Sequence, residues 1–318
     1  MIQRFFNLKI PTNGQKLYDF TSKTHDWIKD NGFKIHIHIM PDLPGCTPEN
    51  DKKMFDFVYS QICPDEMKIY PCQVVPWTII EKWHQQGKYT PYSDNNIEDL
   101  IDVISYAMLK CPEYTRFPRV VRDIPCSYIS AGNKYANLRQ MIDDKLAKSG
   151  LSSLDIRSRE IGRHLKYYNL PAKFEIYSYQ QQNGGTEYFI CYESLDKVAL
   201  FGFIRLRFPS KEHQPVFQIL KNKALIRELH IYGQTNLVGS KNNNGISAQH
   251  QGIGSKLLKI AERISQENLY QGICIISGEG VKKYYQHRGY QDIETYMVKY
   301  FKWYNLVYYF ILKIFSDF

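Results

Sequence analysis

The sequence lacks any closely spaced set of cysteines. Its seven cysteines are scattered along the chain and no two form a CxxC pair, so their spacing predicts neither a zinc finger nor an iron–sulfur cluster. We therefore predict no metal site. We expect most of the cysteines to be small buried apolar groups of a protein in a reducing compartment, the cytoplasm. They are Cys46, Cys63, Cys72, Cys111, Cys126, Cys191 and Cys274.

Signals for secretion and for membrane insertion are also lacking. The N-terminal run MIQRFFNLKI has no long apolar core followed by a small-residue cleavage site, so no secretory signal is predicted. The apolar run LVYYFILKIF near the C-terminus is too short to span a bilayer and contains Lys313. We expect this run to pack as a terminal strand or helix rather than to contact a membrane.

What the sequence does contain is a globular composition with an excess of positive charge. Hydrophobic residues make up 43% and charged residues 23% of the 318 residues, and this length is enough for two domains with separate cores. The net charge of +9 favours a polyanionic partner such as RNA, DNA or a nucleotide-bearing cofactor. Solubility alone would explain the charge equally well.

Strand and helix signals alternate in the first half of the chain. This alternation predicts βα units and a parallel sheet, with room for about three units, fewer than a closed eight-stranded barrel needs. One helix start is marked by Thr47-Pro48-Glu49. Residues 129–165 are predicted to be a basic helical bridge to a second domain. The predicted strands lie in FKIHIHIM, MKIYPC and FPRVVRDI.

The second half has a different pattern. FEIYSYQQQNGGTEYFICYE predicts a β-hairpin, because an Asn-Gly-Gly turn separates two strand-like runs. Two further strand-like runs, VALFGFIRLRF and ALIRELHIYG, extend it to an antiparallel meander. A glycine-containing turn, a long helix, the strand GICIISGEG and the short helix VKKYYQHRGY follow. We predict a second domain that begins near residue 165.

The turn QHQGIG stands directly before the long helix. The start of a helix exposes unpaired backbone N–H groups and the positive end of the helix dipole, so a glycine-containing turn there can hold a pyrophosphate. Gly252 and Gly254 would let phosphate oxygens approach the backbone closely. On this pattern alone, an ordinary strand-to-helix turn is an equally good interpretation.

Two residues of the preceding strand are candidates for proton transfer. The alternation of side chains in a strand places Glu228 and His230 on one face. The alternative for Glu228 is a salt bridge with a neighbour such as Arg205 or Arg227, and the alternative for His230 is a hydrogen-bonded core histidine.

Three tyrosines lie in and after the short helix VKKYYQHRGY. A phenol close to a departing thiolate can act as an acid, which makes Tyr284, Tyr285 and Tyr290 candidates. Aromatic packing with the hydroxyl at the rim is the alternative for each ring.

These segments together resemble a known family. IRELHIYG, QHQGIG, AERI, ISGEGVKKYYQHRGY and YMVKYF are similar to the GNAT acetyltransferase domain of the Elongator catalytic subunit family. The first half carries similar segments in the family's order, and the resemblance extends from about residue 14 to residue 301. They are NGFKIHIHIMPDLPG, MKIYP, YTPYS, RVVRDIP, SAGN, NLRQ and DIRSREIG.

The resemblance implies an α/β fold, α+β overall, in which part of a radical-SAM (βα) barrel precedes a GNAT domain. The implied boundaries are 1–128 for the barrel part, 129–165 for the bridge, 166–301 for the GNAT domain and 302–318 for the apolar tail. The implied function is acetyl-CoA-dependent acyl transfer to carbon 5 of the tRNA wobble uridine. A protein or small-molecule N-acetyltransferase and a non-catalytic tRNA-binding subunit are the alternatives.

The resemblance also assigns roles to individual residues. Tyr284 and Tyr285 match the family's tyrosine pair at the acetyl-CoA site, and Lys68 lies where the family brings a lysine to the radical-domain pocket. The residues that would hold the coenzyme A pyrophosphate are Gln249, Gln251, Gly252, Ile253, Gly254 and Ser255. The basic residues expected to bind tRNA, or alternatively to pair with neighbouring carboxylates, are Arg116, Arg119, Arg122, Arg139, Lys145, Arg157, Arg159 and Arg163.

The chain departs from the family at its metal sites. The family uses S-adenosylmethionine and holds a [4Fe–4S] cluster through a cysteine triplet. This triplet has no counterpart here, so we do not expect this chain alone to generate a radical. Ser153, Leu154 and Ser158 stand in the segment where some members bind zinc through cysteines. Expected partners are tRNA, Elongator-like subunits and a separate chain that completes the barrel. A half-barrel closed on itself and an earlier start of the reading frame are the alternatives to that chain.

Overall fold

The computed structural model describes residues 24–181, 184–211, 214–233 and 252–302, together with residues 304, 307–309 and 312. The first of two compact units contains Ile35–Ser158. The second contains residues 24–34 and the described residues from Arg159 onward. The predicted site residues Gln249 and Gln251 and most of the predicted apolar tail lie outside the described residues.

The helices, in chain order, are α1 (24–30), α2 (Pro48–Phe57), α3 (Ile79–Gln85), α4 (Tyr92–Asn95), α5 (Ile97–Leu109), α6 (Leu138–Lys148), α7 (Ile156–Arg159), α8 (Ile253–Glu267) and α9 (Lys282–Gln286). The strands are β1 (His36–Ile39), β2 (Glu66–Ile69), β3 (Gln73–Val74), β4 (Arg116–Arg119), β5 (Ala131–Gly132), β6 (Ala172–Gln180), β7 (Thr186–Ser194), β8 (Leu200–Phe208), β9 (Lys223–Ile231), β10 (Gly272–Ile276), β11 (Gln291–Ile293) and β12 (Tyr296–Tyr300).

The first unit contains an open parallel sheet in the order β1-β2-β4. The prediction of βα units and a parallel sheet is therefore confirmed, and the sheet is not a closed barrel. Helix α2 begins as predicted, because the hydroxyl of Thr47 accepts a hydrogen bond from the backbone N–H of Asn50 at 3.3 Å and Pro48 occupies the first turn. The apolar face of α5 packs on the sheet through residues that include Leu100 and Ile104.

Helix α6 belongs to the core of the first unit. Leu138, Ile142 and Leu146 are spaced four residues apart, so they lie on one face of the helix, and all three are buried in the same apolar cluster as α5. The sequence places this helix in a bridge, whereas in the structure its apolar face packs within the first unit.

A buried carboxylate joins the loop after β1 to the start of α4. Asp42 accepts hydrogen bonds from the backbone N–H of Tyr92 at 2.7 Å and from the hydroxyl of Ser93 at 2.5 Å. Asp51 accepts a bond from the backbone N–H of Asp42 at 2.8 Å. Burial, the largest effect, raises the pKa of Asp42 to about 6, although the bonds from Ser93 and Tyr92 act in the opposite direction.

This raised pKa predicts a pH-dependent stability. An unfolded aspartate titrates near pH 4, so the folded state binds more protons than the unfolded state between about pH 4 and pH 6. Stability contributed by the protonated carboxyl is present below that window and is lost as the pH rises to about 6. The unfolding free energy should therefore fall between about pH 4 and pH 6. We expect this fall to be smaller in Asp42→Asn than in the unsubstituted protein, by at most ~3 kcal/mol, as measured by urea denaturation.

The matched control for this measurement is Asp123→Asn, because the Asp123 side chain is 74% exposed. Its pH profile should follow that of the unsubstituted protein. Identical profiles for Asp42→Asn and the unsubstituted protein would show that Asp42 does not titrate in this window.

The second unit is built on a seven-stranded sheet in the order β11-β12-β10-β9-β8-β7-β6. Strands β6 to β9 form an antiparallel meander, and β9 and β10 are parallel, connected through α8. Helix α8 buries Leu257, Leu258, Ala261 and Ile264 against the sheet. The predicted hairpin, meander and following βαβ arrangement are confirmed.

A buried cluster of charges attaches α1 to the second unit. Arg207 of β8 is 0% exposed and donates to Asp30 of α1 at 2.7 Å. Its guanidinium also lies 3.5 Å from Asp26 of α1 and 3.7 Å from Glu187 of β7. Arg227 pairs with Glu187 at 2.9 Å. The boundary at residue 128 assigns residues 24–34 to the first domain, whereas these contacts group them with the second unit.

Candidate functional site

The candidate site lies where the parallel strands β9 and β10 stop pairing. Their ladder runs from Lys223 opposite Gly272 to Ile226 opposite Ile275. Strand β9 continues beside β8 as far as Ile231. The first turn of α8 lies next to the end of β9, since a Cβ at Gly254 would be 3.6 Å from Cγ1 of Ile231. In open α/β sheets, ligands commonly bind outside the carboxyl ends of parallel strands.

Gly252 begins α8 in a conformation that favours glycine. Its φ is +102°, and an added Cβ would meet no heavy atom of the described residues within 4 Å. The first intrahelical bond runs from the backbone N–H of Lys256 to the carbonyl of Gly252 at 2.9 Å. The N–H groups of Ile253, Gly254 and Ser255 precede that bond and lie in the first turn of the helix, where N–H groups have no partner within the helix. This turn can bind an anion.

Gly254 allows a side chain to approach the helix closely. A Cβ at Gly254 would lie 2.8 Å from the hydroxyl oxygen of Tyr284 and 3.6 Å from Cγ1 of Ile231. The first turn of α8, the end of β9 and the ring of Tyr284 therefore meet at one place. The close contact with Tyr284 therefore gives a reason for a glycine at position 254 in addition to the proposed phosphate.

The three candidate tyrosines have different surroundings. Helix α9 ends in a Schellman motif: Gly289 has a φ of +84°, and the backbone N–H of Tyr290 donates to the carbonyl of Tyr285 at 3.2 Å. The rings of Tyr285 and Tyr290 pack on each other across this motif, 5.8 Å between centroids. Tyr284 is half-buried, and of the three rings it is the one whose hydroxyl lies at the first turn of α8.

Burial makes the phenols of Tyr285 and Tyr290 weaker acids. It raises the pKa of Tyr285 to about 12. Burial, followed by the charge of Glu262, raises the pKa of Tyr290 well above its ordinary value, and the Tyr290 hydroxyl donates to Glu262 at 2.8 Å. These positions favour the packing interpretation for Tyr285 and Tyr290 and leave Tyr284 as the candidate acid.

Sequence reasoning missed Arg288, which contacts two of the candidate residues. Its guanidinium lies over the ring of Tyr284, 3.5 Å from the centroid, and donates to the hydroxyl of Ser255. An arginine near a helix C-terminus is common because it interacts favourably with the helix dipole, so nothing in the sequence distinguished this one.

Glu228 lies in an ion-pair arrangement rather than as a free base. One carboxylate oxygen accepts from Arg205 at 3.0 Å and the other from Lys34 at 3.1 Å. Burial by itself raises the pKa of Glu228, but Arg205 and Lys34 outweigh it and the pKa lies below its ordinary value. The predicted catalytic role is therefore corrected to the salt-bridge alternative, because a carboxylate held ionised by two cations is a poor proton acceptor.

His230 is exposed and is surrounded by aromatic rings. It stacks on Phe203 at 6.0 Å and lies 4.3 Å from Tyr232, both measured between ring centroids. It is therefore not the core histidine of the alternative interpretation, and its predicted proton-transfer role stays a prediction.

The eight predicted RNA-binding cations fall into distinct groups. Arg119, Arg122 and Arg163 are exposed, and Arg119 pairs with the exposed Asp123 at 2.9 Å. Arg139 donates to Asp143 and Asp155, and Lys145 donates to Glu98 and Asp102. Arg116 and Arg157 are half-buried.

Arg159 requires a correction. Its side chain is 2% exposed, and its guanidinium binds Glu193 at 2.5 Å. A buried guanidinium that already neutralises a buried carboxylate cannot also contact a phosphate. Arg159 therefore does not belong to an RNA surface.

Lys68 lies on a polar face of the sheet in the first unit. It is opposite His38 and Arg119 in the ladders of β2 with β1 and β4. Burial, followed by the charges of Lys68 and Arg122, lowers the pKa of His38. This arrangement makes the polar face cationic, and the assignment of Lys68 to a ligand stays a prediction.

Two features are absent from the described residues. No helix there combines the length and apolar character needed to cross a bilayer. Likewise, no group of three or more His, Cys, Asp or Glu side chains in the described part of the chain is arranged to hold a metal ion.

The chain is similar to known proteins over most of its length. Residues 64–148 match the family described as the Radical_SAM C-terminal domain. The tRNA uridine(34) acetyltransferase of Methanocaldococcus jannaschii is 37% identical over 94% of this chain and 56% of that protein. Elongator complex protein 3 of Homo sapiens is 36% identical over 86% of this chain and 50% of that protein.

A solved structure is also similar. The archaeal Methanocaldococcus infernus Elp3 with an N-terminal deletion (1-46) is 36% identical, with a TM-score of 0.76 over 88% of this chain and 66% of that one. The chain spans about half the length of the curated relatives it matches.

Proposed function

This chain belongs to the family of tRNA uridine(34) acetyltransferases and Elongator complex protein 3, and from that premise we propose that its second unit binds acetyl-CoA and transfers the acetyl-derived group in tRNA uridine modification. The observation that carries the proposal is the first turn of α8, where no heavy atom of the described residues lies within 4 Å of a Cβ at Gly252 and the hydroxyl of Tyr284 approaches Gly254. Both features would be needed at once, one for the diphosphate and one for the thioester.

The residues of the first turn suit the diphosphate of coenzyme A. No heavy atom of the described residues would crowd a Cβ at Gly252. The backbone N–H groups of residues 253–255 point out of the start of a 15-residue helix whose dipole favours negative charge. The predicted contributions of Gln249 and Gln251 lie outside the described residues and remain part of the proposal.

Tyr284 supplies the acid in this proposal. When the thioester carbon–sulfur bond breaks, the nucleophilic atom of the acceptor bonds to the acyl carbon and gives its own proton to solvent, while the departing thiolate takes a proton from the Tyr284 hydroxyl. Solvent then returns the proton to the phenolate. The residues of this chain do not suit a [4Fe–4S] cluster, since its cysteines include no closely spaced triplet, so the proposal includes no step through S-adenosylmethionine.

The test of this function is the release of coenzyme A thiol by the purified chain, with and without tRNA. We expect tRNA to stimulate release and added salt to suppress the stimulation, because phosphate contacts are weakened by salt. Stimulation by peptide or small amines with no response to tRNA would support an N-acetyltransferase instead. No release under any condition, together with no binding of acetyl-CoA in calorimetry, would refute the proposal.

The exposed cations of the first unit are the proposed tRNA contacts. The Arg119 side chain is 51% exposed, and Arg122 is exposed and lies over the ring of Tyr70. We expect the double charge reversal Arg119→Glu with Arg122→Glu to weaken tRNA binding and to lower the slope of log affinity against log salt by up to about 2. Filter binding at several salt concentrations measures both quantities.

The matched control for tRNA binding is Arg263→Glu. The Arg263 side chain is 58% exposed and lies on the outer face of α8, where no tRNA contact is proposed. An unaltered salt slope in the double variant would show that Arg119 and Arg122 do not contact phosphates.

A further inference from the structure

We infer that Arg288 is a positioning residue that holds the hydroxyl of Tyr284 over the first turn of α8. This inference rests on the proposed acetyl-CoA function and adds to it a residue outside the predicted site. Arg288, Ser255 and Tyr284 together are called the Arg288 clamp below. The clamp joins the first turn of α8 to α9. The proposed chemistry requires these two elements to keep a fixed position relative to each other.

The backbone of Arg288 is held by the Schellman motif at the end of α9. Its N–H donates to the carbonyl of Tyr285 at 2.9 Å, and the N–H of Gly289 donates to the carbonyl of Gln286 at 3.0 Å. Gly289, with its positive φ, completes this motif directly after Arg288. The side chain of Arg288 therefore starts from one defined position beside Tyr284.

The guanidinium of Arg288 then makes three directed hydrogen bonds. Nη1 donates to the carbonyl of Tyr284 at 2.7 Å. Nε and Nη2 both donate to the hydroxyl of Ser255, at 3.1 and 2.8 Å. The Cζ atom of Arg288 lies over the Tyr284 ring, 3.5 Å from its centroid. One planar group thus fixes the main chain of Tyr284, the face of its ring and the first turn of α8.

Lysine cannot replace Arg288 in this arrangement. A guanidinium stacks flat on a ring while its N–H groups donate in two directions, whereas an ammonium is a point charge on a flexible stem. The clamp therefore depends on shape as well as on charge. This distinction separates positioning from a simple attraction between Arg288 and a bound diphosphate.

Gly254 limits Tyr284 from the side of the helix. The hydroxyl of Tyr284 occupies the space that a Cβ of Gly254 would need, at 2.8 Å. With the guanidinium on the ring face and the helix backbone at the hydroxyl, the phenol is held close to one orientation. A proton donor misplaced by about 1 Å can lose about a hundredfold in rate, so this restriction matters for transfer to a thiolate.

The first experiment is a double-mutant cycle on thiol release between Arg288→Gln and Tyr284→Phe. We expect Tyr284→Phe to lower kcat by about a hundredfold and Arg288→Gln by about tenfold, with KM within about threefold. The double variant should be no slower than Tyr284→Phe, because Arg288 acts through the lost hydroxyl. Arg288→Lys should fail to rescue kcat, and Ser255→Ala should give a smaller loss.

Two kinetic outcomes would overturn the inference. Losses that multiply in the double variant would mean that Arg288 acts independently of the Tyr284 hydroxyl. Recovery of kcat by Arg288→Lys would mean that charge, not shape, is what matters. The matched control is Arg263→Gln, an exposed arginine on α8 whose loss should change neither kcat nor KM.

A second readout does not depend on activity. In protein labelled with 3-fluorotyrosine, the fluorine resonance of Tyr284 is identified by its disappearance in Tyr284→Phe. It should shift in Arg288→Gln and in Ser255→Ala and stay in place in Arg263→Gln, with all variants unfolding at the same temperature. An unmoved Tyr284 resonance in Arg288→Gln would overturn the clamp even if the protein turns over acetyl-CoA. A shifted resonance without any turnover would keep the clamp and refute the proposed function.

Discussion

Gly252→Glu is expected to weaken acetyl-CoA binding by about a hundredfold or more. The described residues leave room for the new side chain, because none of their heavy atoms lies within 4 Å of the Cβ position. Its carboxylate would occupy the space proposed for the diphosphate and would take the first-turn N–H groups for itself. Calorimetry with acetyl-CoA measures the loss, and thermal unfolding reports whether α8 still folds.

Two further substitutions at Gly252 separate charge from backbone strain. Any side chain at this position makes the φ of +102° unfavourable and lowers the stability of the protein by roughly 1–2 kcal/mol. Gly252→Ala carries that cost without charge, and Gly252→Lys carries it with the opposite charge. We expect affinity to rise in the order Glu, Ala, Lys. Equal losses in all three would attribute the effect to strain, and an unchanged affinity in Gly252→Glu would mean that the diphosphate binds elsewhere.

Arg207→Met is expected to destabilise the protein by ~3–5 kcal/mol. Removing this 0% exposed guanidinium leaves Asp30, 2.7 Å away, and the neighbouring Asp26 and Glu187 without their shared cation. It also removes a hydrogen bond to Gln181. A buried carboxylate that loses its partner must either stay charged at high cost or bind a proton. Urea denaturation of the full chain measures the change.

Two controls test whether the loss of stability in Arg207→Met comes from the buried ion pairs. Arg263→Met removes an exposed i,i+4 pair with Glu267 and should change stability by less than ~0.5 kcal/mol. Asp30→Leu combined with Arg207→Met should cost less than the sum of the two single changes, since the pair is then removed together. Strictly additive losses would show that the Arg207–Asp30 contact does not stabilise α1 against β8.

The elements predicted from local patterns were the reliable part of the sequence analysis. The hairpin across Asn-Gly-Gly, the start of α2 at Thr47 and the long helix after QHQGIG depend on neighbouring residues only, and each is present. Turn chemistry, capping and apolar periodicity act over a few residues, so they can be recognised without knowledge of the fold.

Roles that depend on a distant partner were harder to predict. Glu228 and Tyr284 were equal candidates for proton transfer in the sequence. The structure pairs Glu228 with Arg205 and Lys34 and brings the Tyr284 hydroxyl to Gly254. The sequence offers Arg205 only as one of two possible partners of Glu228, and neither Lys34 nor the contact of Tyr284 with Gly254 can be recognised from neighbouring residues.

The amino-acid order by itself determined the succession of strands and helices, the glycine turn before α8 and the resemblance to a family, because these follow from short-range chemistry and shared motifs. Only the folded chain decided that α1 is held by Arg207, that Arg159 is buried, and that Arg288 rather than a neighbouring cation contacts Tyr284. Ion pairs and ring contacts form between the side chains that the folded sheet and helices bring together. The position of a charged residue in the sequence therefore does not identify its partner.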